Sequence, residues 1–206
     1  KEDLEGASYS VGKVVKKQRA RRPAAPFITS TLQQEAWRKL RFGARKTMLV
    51  AQQLYEGVSV GSEGSVGLIT YMRTDSTQVS QLAIKEARDY IRQKFGNKSL
   101  PKTARTFSRR AKLAQEAHEA IRPTSIRREP EAQSSFLTKD QMALYGLIWR
   151  RMVASQMADA SLANTSVDIN ARSVRSSNEY MFRASGSICV PDRTCPRPGL
   201  SAKPLS

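Results

Sequence analysis

Tyr71 and Arg73 stand two residues apart at the end of a short apolar run in this 206-residue sequence. Residues i and i+2 of a strand share a face, so the spacing puts a phenol and a guanidinium side by side. A phenol with a pKa near 10 is a poor nucleophile at neutral pH. An adjacent guanidinium favours the phenolate and holds a phosphate through two parallel hydrogen bonds. The pair therefore suits phosphoryl transfer, although a tyrosine at a strand end is ordinarily half-buried core. His118, the single histidine, lies between Glu116 and Glu119. Those carboxylates favour its charged form, a donor to phosphate; the plainer reading is a packed or surface residue. Cys189 and Cys195 have neither a second cysteine pair nor a nearby histidine, so no zinc signature exists. The acidic residues are scattered along helices rather than gathered as a Mg²⁺ site would need. No G-x-x-x-x-G-K-[ST] loop occurs, so nothing signals ATP use.

The elements that must position these residues follow from periodicity. Thr29, Ser30 and Thr31 are candidate N-caps of a helix carrying Leu32, Ala36 and Leu40, with Gly43 as its stop. A second helix is expected over residues 45–56, with Met48, Ala51, Leu54 and Tyr55 as its apolar face and Gly57 at its end. Gly57, Gly61 and Gly64 mark a loop, and residues 66–71 read as a short buried strand. A third helix starts near Ser80, with Ile84, Ala87, Ile91 and Phe95 inward and Gly96 closing it. Residues 101–112 carry five basic residues and no acidic one and read as exposed loop. Thr138 and Gln141 form a capping box, with Leu137 and Met142 as its staple, for a helix whose stripe is Met142, Tyr145, Ile148, Trp149 and Met152. Residues 167–169 and 180–182 look like two strands around a polar turn, and from Ile188 onward four prolines suggest disorder.

Composition narrows the partners. Lys and Arg number 35 against 18 Asp and Glu, giving a formal net charge of +17 and a pI near 10.4. Apolar residues make up 39%, enough for a core. The longest apolar run is far short of a membrane span of roughly 20 residues, and no signal peptide opens the chain. Nucleic acid is the expected polyanion. Six of the ten residues 13–22 are basic and none is acidic, which reads as a solvated arm or, more sharply, as one that tracks phosphates. The chain opens on Lys1 and is expected to be a piece of a longer protein.

GLITYMRTDS at residues 67–76 resembles the active-site segment of type IA DNA topoisomerases. PFITSTLQQEA (26–36), AQQLYEG (51–57), AQEAHEAIRPT (114–124) and VASQM (153–157) resemble further blocks of the same family, in its order. Met72 between Tyr71 and Arg73 is similar to the bacterial topoisomerase I branch. The resemblance implies an α+β fold: a basic segment and hinge-domain strand at 1–28, a mostly helical tyrosine domain at 29–158 with a short strand bearing the tyrosine, hinge strands at 159–187, and an aberrant tail at 188–206. It implies Tyr71 as nucleophile and Arg73 as its catalytic partner. His118 would bind phosphate, and Gln52, Glu56, Thr70, Thr74 and Asp75 would line the site. It implies ATP-independent relaxation of negatively supercoiled DNA by single-strand cleavage through a 5′-phosphotyrosyl intermediate, strand passage and religation. The alternative is a non-catalytic single-stranded DNA-binding module. Mg²⁺ would belong to the full-length enzyme, its ligands lying in the family's Toprim domain, which this sequence lacks. The chain alone is therefore expected to be inactive. Its partners would be DNA, single-stranded at the cleavage point, and the Toprim domain of the same polypeptide, with no membrane. The full-length protein would be monomeric, cytoplasmic and nucleoid-associated.

Overall fold

The computed structural model describes residues 2–107 and 119–190, and the chain divides into two compact units. One comprises Pro23–Ala158, the other Lys1–Arg22 with Asp159–Ser206. The boundary thus falls after Arg22 rather than after residue 28. Phe27, fully buried, bridges Ile121 and belongs to the core of the helical unit.

Four helices frame that unit: α1 (Thr29–Leu40), α2 (Ala44–Glu56), α3 (Gln81–Phe95) and α4 (Lys139–Ser155). The capping box of α4 forms as expected: the Gln141 N–H donates to Thr138 Oγ1 at 3.3 Å and the Thr138 N–H to Gln141 Oε1 at 3.0 Å. Its Tyr145, Ile148, Trp149 and Met152 are buried, whereas Met142 is half-exposed. Burial leaves the two polar tips needing partners, and carbonyls supply them: Trp149 Nε1 donates to Ile126 at 2.9 Å and Tyr145 Oη to Arg128 at 2.7 Å. Ser80 caps α3, accepting from the Ala83 N–H at 3.4 Å.

Two details differ from the periodic reading. α1 ends at Arg41, in the left-handed conformation at φ 60°, and Gly43 instead precedes α2 as its N-cap. α2 buries Thr47, Val50, Ala51 and Leu54 and leaves Tyr55 exposed, so its inward stripe is rotated from the expected one. After α2 the glycine-rich stretch folds into a minimal hairpin, β2 (Val58–Ser59) against β3 (Ser65–Val66). Residues 101–107 hold neither helix nor strand.

The other unit is a three-stranded antiparallel sheet in the order β1–β4–β5: β1 (Ser8–Arg21), β4 (Ala160–Arg172) and β5 (Glu179–Cys189). The basic run expected as an arm is strand, paired with β4 along its length. Ile188 and Cys189, assigned to the tail from sequence, are the last residues of β5, opposite Ala163 and Leu162. Residues 191–206 lie outside the described residues. Asp3 fastens the turn between β4 and β5. It accepts from Tyr180 Oη at 2.5 Å, Ser173 Oγ at 2.8 Å and Ser176 Oγ at 2.9 Å, and these bonds hold its carboxyl far below the usual range. Among the described residues no helix is long and apolar enough to cross a membrane.

Candidate active site around Tyr71

The segment carrying Tyr71 is strand only at its start, in β3. Beyond it the chain stays extended and is bonded residue by residue to two different neighbours. The Leu68 N–H donates to the Leu54 carbonyl in the last turn of α2 at 2.7 Å. The Thr70 N–H donates to Arg122 at 2.9 Å, and the Thr124 N–H returns to Leu68 at 3.0 Å. Ile69 and Pro123 form the non-hydrogen-bonded pair between these two bonds, and the ladder goes no further because the Leu68 N–H is spent on α2 and the Arg122 N–H on Thr70 Oγ1 at 3.0 Å. Gly67 permits the approach to α2: a Cβ there would lie 2.6 Å from the Tyr55 carbonyl oxygen.

From Tyr71 to Asp75 burial alternates. Tyr71, Arg73 and Asp75 are exposed, while Met72 and Thr74 are buried. Tyr71 and Arg73, two residues apart, thus both face the open side. Tyr71 is 45% exposed, and its ring meets Tyr55 edge-on at 5.3 Å. Among the described residues neither Tyr71 Oη nor the Arg73 guanidinium has a hydrogen-bond partner, so both are available to a ligand.

The remaining expected residues divide by task. Thr70 and Thr74 spend their hydroxyls on the fold. Thr70 Oγ1 donates to the Ala120 carbonyl at 2.7 Å and accepts from the Arg122 N–H at 3.0 Å. Thr74 Oγ1 accepts from the Ser76 N–H at 3.0 Å. Asp75 joins Arg73 and Thr74 in an open cleft of about 400 Å³, closed on its other side by Ile28, Thr29 and Ser30 at the start of α1. Gln52 and Glu56 sit one turn apart on exposed α2, the Gln52 amide donating to Glu56 at 2.6 Å. They flank Tyr55, the residue in ring contact with Tyr71. His118 lies outside the described residues. Its neighbour Glu119 accepts from Arg122 Nη2 at 2.7 Å and from the Ser80 N–H at 2.7 Å. Burial raises that carboxyl, but these donors outweigh it and hold the group below its ordinary value.

Thr29 is the residue that sequence reasoning misassigned. The N-cap of α1 is Ile28, before all three candidates, and among the described residues no side chain caps a helix N–H there; Thr31, at the third helical position, accepts from the Ile28 N–H at 3.0 Å. Thr29 Oγ1 instead accepts from the Thr74 N–H at 2.9 Å, with the carbonyls of Met72 and Thr74 at 2.8 and 3.0 Å for its proton. The Thr29 N–H also donates to Thr74 at 2.9 Å. The first residue of α1 thus clamps both sides of Arg73. The only sequence signal was its place in the block at 26–36.

Among the described residues no three of His, Cys, Asp and Glu gather as metal ligands, so the residues present do not fit a Mg²⁺ site and no chemical step is assigned to a metal held by this chain. What the geometry offers is a presented phenol, a free guanidinium and a cleft at a helix start.

The chain belongs to the type IA DNA topoisomerase family: its residues 1–192 match the family described as DNA topoisomerase. Within it the chain is similar to DNA topoisomerase 1 of Xylella fastidiosa, strains Temecula1 and 9a5c, at 54% identity over 177 residues in each case. The alignment covers 86% of this chain and 21% of each relative, so the chain spans about a fifth of their length. The solved structure of full-length topoisomerase I from Thermotoga maritima superposes with a TM-score of 0.71 at 38% identity, over 88% of this chain and 28% of that one.

Proposed function

We propose that this chain is the nucleophile-bearing part of a topoisomerase that relaxes negatively supercoiled DNA without ATP. Tyr71 Oη attacks a backbone phosphorus of single-stranded DNA and gives its proton to solvent, and the P–O3′ bond breaks as the 3′-oxygen takes up a proton from solvent to leave as a hydroxyl. The product is a 5′-phosphotyrosyl ester. A second strand passes through the break, and the 3′-hydroxyl then attacks the same phosphorus and releases Tyr71. One ester replaces another in each direction, so supercoiling strain alone drives the net change. Arg73 donates to the phosphate oxygens as charge develops on them. His118 is the second phosphate donor, and Asp75, Gln52 and Glu56 border the bound strand. Mg²⁺ would be held by carboxylates of the Toprim domain in the full-length enzyme, where it would supply charge stabilisation at the phosphate.

The observation that carries this reading is the exposed Tyr71 and Arg73 on a segment whose alternate residues, Met72 and Thr74, are locked into the core. The test is covalent trapping of a labelled single-stranded oligonucleotide by this chain joined to the rest of a bacterial topoisomerase I. Tyr71→Phe is expected to abolish the adduct while leaving the fold intact. An adduct that survives in that variant overturns the assignment. This chain by itself is expected to form none.

A further inference from the structure

The basic run on β1 belongs to the other unit from Tyr71, and its Lys13, Lys17 and Arg19 share one side of the sheet. Lys13, Val15, Lys17 and Arg19 line a cleft of about 400 Å³ on that side. Cross-strand partners share a face, and the register sets Asp168 and Arg183 beside Lys13, Ser166 and Ser185 beside Val15, and Asn164 and Ser187 beside Lys17. Asp168 is the single acid of the lining, and Arg183 engages it through two bonds of 2.6 and 3.0 Å. The charge of Lys13, Lys17 and Arg19 is therefore in excess. Lys17 and Arg19 make no ion pair among the described residues.

A bulge sets which side these three cations occupy. The register shifts between Val11 and Lys13, so Val11 opposes Ile169 on the apolar face while Lys13 turns to the basic one. A Cβ on Gly12 would sit 2.8 Å from the Asn170 amide, so glycine fits the bulge. No aromatic residue lines the cleft, which removes base stacking as a binding mode. Cations with serine hydroxyls and an asparagine amide match phosphodiester oxygens instead. Three strands span about 10 Å, and the six steps from Lys13 to Arg19 about 20 Å. Those are the proportions of one DNA strand rather than of a duplex.

We propose that this sheet face is a second binding surface for single-stranded DNA, borne by the other unit from Tyr71 and contacting the sugar–phosphate backbone without reading sequence. The proposal rests on the reading that DNA is this protein's substrate. The experiment titrates a fluorescein-labelled oligothymidylate with the 206-residue chain by anisotropy across a salt series. Three lost phosphate contacts lower the log–log salt slope by about 2, which is about a 100-fold weaker affinity at 0.1 M salt relative to 1 M. K13A/K17A/R19A is expected to show that loss. K16A, on the opposite face, is expected to leave the slope nearly unchanged. The charge-preserving K13R/K17R/R19K keeps the slope and shows that the substituted strand still folds. An unchanged slope in the triple alanine variant, or an equal loss in K16A, overturns the surface while DNA remains the substrate. Absence of any binding by the unsubstituted chain also overturns it, and Tyr71→Phe trapping then decides separately on the nucleophile.

Discussion

Thr29→Val removes one oxygen and keeps the side chain's shape, so it isolates the clamp on the Tyr71 segment. The hydroxyl accepts from the Thr74 N–H at 2.9 Å, and among the described residues that N–H has no other acceptor. Thr74 is 8% exposed, which limits the access of water to the lost partner's place. An orphaned buried donor costs about 1–3 kcal/mol, and the lost donation to the Met72 carbonyl adds about 1 kcal/mol. The helical unit is therefore expected to lose about 3 kcal/mol in urea unfolding, followed by the fluorescence of buried Trp149, with an unchanged m-value. Thr29→Ser keeps the hydroxyl and forfeits one methyl, about 0.8 kcal/mol. A valine variant within about 0.5 kcal/mol of the parent, or a serine variant worse than valine, refutes the reasoning. In the enzyme made whole, valine is expected to slow adduct formation at saturating oligonucleotide without changing oligonucleotide affinity, because the clamp orients Arg73 rather than holding DNA.

Gly67→Ala drives a methyl group into the Tyr55 carbonyl and is expected to cost about 1–3 kcal/mol by thermal or urea unfolding, together with slower adduct formation. Arg41→Gly relieves a left-handed residue at the end of α1 and is expected to raise stability by about 1 kcal/mol. Glu35 gives a pH dependence. Burial raises its carboxyl, but Lys39, Arg151 and Arg38 together bring it below its ordinary value of 4.5. A carboxyl lowered on folding stabilises the native state above its unfolded pKa, and that contribution fades as pH falls through the folded value. Acidification from about pH 5 to about pH 3 is therefore expected to destabilise the parent more steeply than Glu35→Gln, by melting temperature against pH. Equal slopes would remove Glu35 from the account.

The amino-acid sequence determined what depends on near neighbours. The capping box of α4, the Ser80 start of α3, the ends at Gly57 and Gly96, and the common side of Tyr71 and Arg73 all follow from residues within a few positions of one another. So does the excess of cations, and the ordered blocks that place the chain in its family. Tertiary structure decided what depends on contacts distant along the chain. Thr29 is 45 residues from the N–H it accepts, and Thr70 is 50 from the carbonyl it donates to. Both read locally as a cap and a site-lining residue, yet each hydroxyl goes to the buried backbone group that would otherwise lack a partner. The strand expected at 66–71 became a pinned extended segment because the Leu68 N–H turns to the Leu54 carbonyl of α2 and the Arg122 N–H to the Thr70 hydroxyl. On β1 a one-residue bulge at Gly12, set by the pairing with β4, decided which face each cation would occupy. A strand alternates its side chains with period two, so residue type alone fixes the alternation, while only the register fixes which side is which.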